Sequence, residues 1–100
     1  GLLLATPENF GYMAGAMKDF LDRTYYPAQG KVEGLPFAVM ISAGNDGSGA
    51  LNAIERIARG YPLTRVIEPI IATGELNAEV LARCEDMGQT MAAGIAYGVF

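Results

Sequence analysis

The stretch Leu2-Leu3-Leu4-Ala5-Thr6-Pro7-Glu8-Asn9-Phe10-Gly11-Tyr12-Met13, running on into Ala14-Gly15-Ala16-Met17-Lys18-Asp19-Phe20-Leu21-Asp22-Arg23, decides how the chain reads. An apolar run of strand length empties into a polar, glycine-containing loop, and the loop opens an amphipathic helix. Met13, Met17, Phe20, Leu21 and Thr24 recur at three and four, which gives the helix a face to lay on a sheet. The spacing predicts a strand over Leu2 to Thr6 and a helix over Ala14 to Tyr25, with Pro27 as its stop. On its wet side Lys18 with Asp22, and Asp19 with Arg23, are placed for i,i+4 pairs, each worth only about 0.2–0.5 kcal/mol.

The same alternation continues downstream. Leu35 to Ser42 is almost wholly apolar without strict alternation, the mark of a parallel strand covered on both faces. Ala43-Gly44-Asn45-Asp46-Gly47-Ser48-Gly49 breaks it. Leu51, Ile54, Ile57 and Ala58 then restart a helical period that Gly60 and Pro62 close. A third strand is expected over Thr64 to Ala72, at a sheet edge or bent, because Pro69 has no N–H for a ladder. The last helix starts near Asn77, whose side chain suits a cap, and carries an apolar stripe of Val80, Leu81, Cys84, Met87, Gly88, Met91 and Ile95. The order β-α-β-α-β-α demands right-handed crossovers and a parallel sheet in an α/β fold.

Composition narrows the function classes. One hundred residues make one core, and 51% hydrophobic residues argue against disorder. A net charge of -4 gives no general attraction to nucleic acid or an anionic membrane, and no apolar segment is long enough to span a bilayer. Cys84 is the only cysteine, so no internal disulfide forms; its helical context reads as a core thiol, and a cytoplasmic setting is expected. The chain contains no histidine, which removes the usual serine or cysteine triads and a Cys/His zinc site. Neither a P-loop nor a GxGxxG fingerprint occurs. The acids of the two loops, Glu8 and Asp46, are too few for the acidic cluster of a phosphate receiver.

The candidate site is therefore the pair of loops that follow the first two strands, since the carboxyl ends of parallel strands open on one side. The first supplies Thr6, Pro7, Glu8, Asn9, Phe10, Gly11, Tyr12 and Met13; the second supplies Ala43, Gly44, Asn45, Asp46, Gly47 and Ser48. Their backbone N–H groups, near helix starts, are placed to donate to carbonyl or anionic atoms of a planar ligand. Phe10 and Tyr12 are the aromatics available to bracket a ring, or else to lid the core or meet another subunit. Glu8, Asp46 and Ser48 are candidate acids, bases or nucleophiles, and equally ordinary turn and cap residues. With no conventional catalytic set and no metal ligands, the chemistry expected is that of a bound cofactor.

Thr6-Pro7, Asn9-Phe10-Gly11, Met17-Lys18-Asp19-Phe20-Leu21-Asp22-Arg23 and the Ser42-Ala43-Gly44-Asn45-Asp46-Gly47 turn together resemble the NAD(P)H-dependent FMN reductase and quinone reductase group of flavodoxin-like proteins. The resemblance extends in outline over the whole chain. It implies a three-layer flavodoxin-like sheet, of which this chain is the portion from strand three onward, without the first two β-α units and their phosphate loop. It also implies that the first loop packs along an FMN ring and that the second approaches from the other side of the cleft. Hydride would pass from NAD(P)H to the flavin N5 and on to a quinone, another flavin or a similar small-molecule acceptor, with no protein acid or base in the central role. The open edge of the first strand then calls for a covering chain, either a missing N-terminal segment or a partner in a homo-oligomer. A flavodoxin-like interaction domain without turnover, and an electron-carrying flavodoxin, are the alternatives.

Overall fold

The computed structural model describes residues 1–100. The elements run β1 (Leu2–Asn9), β2 (Tyr12–Met13), α1 (Gly15–Ala28), β3 (Pro36–Ala43), α2 (Ser48–Gly60), β4 (Thr64–Arg65), β5 (Ile70–Thr73) and α3 (Ala78–Ala96). The α/β alternation expected from the sequence holds, with two differences. The sheet is mixed, because β2 folds back antiparallel on β1 through the pairs Glu8↔Met13 and Asn9↔Tyr12. The third strand is split: β4 pairs with the start of β3 and β5 with its end, and Pro69 lies in the gap. Both pieces lie at a sheet edge, where a residue without an N–H is tolerated.

β3 is the centre of the sheet. It runs parallel to β1 over six aligned pairs from Leu2↔Phe37 to Pro7↔Ser42, and parallel to β4 and β5 on its other side. Its alternate side chains feed two cores, one on each face. Phe37, Val39, Ile41 and Ala43 meet Leu4, Leu21, Ala50, Ile54, Ala58 and Tyr61 from β1, α1 and α2. Ala38 meets Ile70, Met87 and Met91, with Met40 and Cys84 packed alongside, under α3. The near-continuous apolar run of β3 is thus explained by helices on both faces. Val39 and Ile54 are wholly enclosed, and each contributes about 1.5–3 kcal/mol of hydrophobic stabilisation.

The helices follow their apolar periods with shifts of phase. In α2, Ala50, Ile54 and Ala58 are buried, flanked by half-buried Leu51 and Ile57. In α1 the inward face is Met17, Leu21, Tyr25 and Ala28, whereas Phe20 faces solvent. Pro27 is accommodated inside the last turn instead of ending the helix before it. The Tyr61 phenol donates to the Leu21 carbonyl and lies 2.9 Å from the Thr24 hydroxyl, tying the end of α2 to α1. The Lys18–Asp22 ion pair forms at 2.6 Å, and Asp19–Arg23 does not.

In α3 the Asn77 side chain accepts from the Val80 N–H at 2.9 Å, the expected cap. Met87, Met91 and Gly94 are buried, but Leu81 and Ile95 of the anticipated stripe are exposed. Gly94 is small because the Phe100 ring folds back on it, in space a Cβ would occupy. Apolar surface is also left open on the α3 face of the sheet. There Leu3 and Ala5 of β1 lie uncovered, and the outer edge of β1 pairs with β2 over Glu8 and Asn9 only. No helix is long and apolar enough to cross a membrane.

Candidate functional site

β1 and β3 are neighbours and parallel, so their carboxyl ends, in register at Pro7↔Ser42, deliver the two candidate loops side by side. The first segment is less a loop than a hairpin. Its turn is Phe10-Gly11, with φ of 52° and 70°, the pair of positive values that a two-residue hairpin turn of type I′ requires. Glycine adopts that geometry freely. Phenylalanine does so at a cost of about 1–2 kcal/mol, and here its ring stands wholly in solvent at 107% relative exposure.

Two contacts weld the hairpin to the second loop. The Glu8 carboxylate accepts from the Ala50 N–H at 3.2 Å, reaching the first turn of α2. The Gly11 carbonyl packs against Gly49, where a Cβ would collide with it. Thr6 fixes the other end of the segment: its buried hydroxyl donates to the Pro7 carbonyl at 2.9 Å and accepts from the Ala14 N–H at 2.9 Å. Met13 is buried in the core beneath the hairpin, so its side chain supports the wall and does not face a ligand.

In the second loop Asp46 accepts from both the N–H and the hydroxyl of Ser48, at 3.0 and 2.9 Å. Those hydrogen bonds, the backbone one foremost, hold its carboxyl below the usual carboxylate range. Gly47 sits at φ 73° with the Ile71 methyl 2.7 Å from where a Cβ would be, so both conformation and space demand glycine. Gly44, Asn45, Asp46 and Ser48 are exposed, and the N–H groups of Gly44, Asn45 and Gly47 meet no backbone carbonyl. Gly44 and Asn45 are the exposed donors of the loop, whereas Gly47 is buried.

The helix start behaves differently from the sequence expectation. The amides at the beginning of α2 are engaged by the chain's own carboxylates, Asp46 on Ser48 and Glu8 on Ala50. Two negative charges at that helix end make it a poor seat for an anion. The same contacts give Glu8, Asp46 and Ser48 structural duties.

Beside the loops lies an open hollow of about 310 Å³ on the α3 face. Thr6, Pro7 and Ser42 form its rim at the strand ends, and Met40, Ala72, Leu76, Val80 and Cys84 make its apolar floor and far wall. The sequence points to the rim but not to the far wall, because Val80 and Cys84 read simply as helix-stripe residues and Leu76 precedes the helix. A second concavity opens on the opposite side, between Tyr12 and the outer flank of α2 at Asn52, Arg56 and Arg59. Phe10 and Tyr12 therefore do not bracket one space: Phe10 projects from the turn and Tyr12 lines this second concavity. Arg56 and Arg59 lie on the exposed face of α2.

Residues 1–75 match the family model described as NADPH-dependent FMN reductase. No curated protein matches the chain.

Proposed function

The chain belongs to the NADPH-dependent FMN reductase family, and from that premise we propose that it forms the ring-holding wall of an FMN site used to pass a hydride from NAD(P)H to a quinone, a second flavin or a similar acceptor. The observation that carries this reading is the pair of welded loops at the carboxyl ends of adjacent parallel strands, beside a largely apolar hollow. A flavin suits that arrangement: an apolar, planar ring with one polar edge matches an apolar floor rimmed by Thr6, Pro7 and Ser42, with the exposed N–H donors of Gly44 and Asn45 in the loop that follows Ser42. Bound FMN would supply the redox chemistry, as acceptor and then donor of the hydride.

The chain's own groups position and exclude. Thr6 and Glu8 are held by the fold and lock the first segment in place. Pro7 and Ser42 border the hollow, and Leu76 and Val80 give it an apolar wall. The carboxylates of the two loops, Glu8 and Asp46, are both occupied in accepting backbone hydrogen bonds. Proton transfer through them is not part of the reading.

Residues 1–100 are, in this proposal, the C-terminal part of one flavodoxin-like domain, with a preceding strand of the same polypeptide along the outer edge of β1 and its helix over Leu3 and Ala5. The unpaired edge and the uncovered apolar face support it. The lone thiol of Cys84 accords with a cytoplasmic protein. The test is a titration of the full-length polypeptide with oxidised FMN, followed by anaerobic addition of NADPH. Saturable quenching of flavin fluorescence and bleaching of its absorbance are expected; a folded protein showing neither refutes the proposal. One observation favours a second reading, an interaction domain without turnover: Phe10, strained and fully exposed, is shaped like an anchor for a protein partner. Partner binding that persists without flavin and is lost in Phe10→Ala would select it.

A further inference from the structure

We infer that the concavity between Tyr12 and the outer flank of α2 binds a phosphomonoester, the ribose phosphate that distinguishes NADPH from NADH; the identity of the ligand rests on the flavin-dependent reading above. The concavity measures about 540 Å³, and its polar lining is Tyr12, Asn52, Glu55, Arg56 and Arg59. Arg56 and Arg59 stand one turn apart on a single face, both exposed, and neither forms an ion pair. The one lining carboxylate, Glu55, is bound to Arg65. A local excess of positive charge thus persists in a chain whose net charge is -4. Neither the Tyr12 phenol nor the Asn52 amide has a hydrogen-bond partner in the chain, so the concavity offers two guanidinium forks and two neutral polar groups to one incoming anion.

Position supports the assignment. Tyr12 belongs to the hairpin that walls the ring site, and Asn52 follows the second loop by one helical turn. At about 1.5 Å rise per residue, Arg56 and Arg59 lie roughly 12–16 Å along α2 from Ser48, a reach suited to an extended dinucleotide whose nicotinamide end is at the loops. The nearer alternative, the start of α2, is closed to an anion by Glu8 and Asp46.

The test compares the full-length wild type with the double variant Arg56→Ala/Arg59→Ala. Binding of 2′,5′-ADP by calorimetry reads the phosphate site without any turnover, and the ratio of kcat/KM for NADPH over NADH reads its use. Loss of two charge-assisted contacts predicts 2′,5′-ADP affinity weaker by about tenfold or more, with a parallel fall in the NADPH/NADH ratio. A circular dichroism spectrum like that of the wild type verifies folding, and Arg56→Lys/Arg59→Lys, which keeps charge without the forks, is expected to fall between. If the wild type binds 2′,5′-ADP through these arginines but never reduces FMN, the phosphate site stands and the reductase reading fails. If it reduces FMN while the double variant keeps full 2′,5′-ADP affinity and the same ratio, the inference is overturned and the reductase reading stands.

Discussion

Replacing Gly49 with alanine separates the two walls of the site if the welded-loop account is right. An alanine early in a helix is ordinarily favourable, by up to about 1 kcal/mol over glycine. Here the new methyl runs into the Gly11 carbonyl, a backbone atom of a two-residue turn that no rotamer change can withdraw. Overpacking of this kind costs about 1–3 kcal/mol. Moving the hairpin away also stretches the 3.2 Å bond from the Ala50 N–H to Glu8, and a half-exposed charged hydrogen bond adds about 1 kcal/mol to the loss. The net expectation is a destabilisation of about 1–3 kcal/mol and an FMN Kd raised about tenfold. Urea unfolding and flavin fluorescence titration measure the two effects. Gly60→Ala is the control, because a Cβ at that last position of α2 meets nothing within 4 Å. Gly49→Ala with the stability and FMN affinity of Gly60→Ala refutes the reasoning.

Three further outcomes are expected. Phe10→Asn relieves the left-handed turn and stabilises the fold by about 1 kcal/mol in urea unfolding; stability equal to or below that of the wild type would contradict the strain assigned to Phe10. Thr6→Val leaves the Ala14 N–H unsatisfied in a buried setting and costs about 1–3 kcal/mol in the same assay, whereas Thr6→Ser restores most of it. Asp46 has its folded pKa depressed by the Ser48 hydrogen bonds, so its contribution is present above the ordinary carboxylate range and is lost as pH falls through the folded value. FMN affinity measured from neutral pH downward should weaken in acid, and Asp46→Asn should flatten that dependence.

The elements with strong periods were legible from sequence, and the departures have local causes. β3 and α2 carry enough uninterrupted apolar pattern to declare themselves, and the Asn77 cap follows from side-chain chemistry alone. The hairpin at Phe10-Gly11 escaped because phenylalanine is a poor residue for a left-handed turn, so the usual Asn-Gly or Asp-Gly signal was absent. Periodicity points Phe20 inward, but Tyr25 and Tyr61 fill that side of α1 in an edge-on pair with ring centroids 5.4 Å apart. The two loops were found because strand ends and glycines mark them. That Glu8 and Asp46 occupy the start of α2 depends on a contact 42 residues apart along the chain and on a local turn, and only the first lies beyond any motif. The concavity at Arg56 and Arg59 was hidden for the same reason: its third side, Tyr12, comes from a different element.

Hydrogen exchange of the full-length polypeptide with and without oxidised FMN tests the central claim most directly. The account predicts that saturating FMN slows exchange in the segments 6–13 and 43–48 while α3 beyond Met87 is little changed. Saturable FMN binding that leaves both segments unprotected would contradict it.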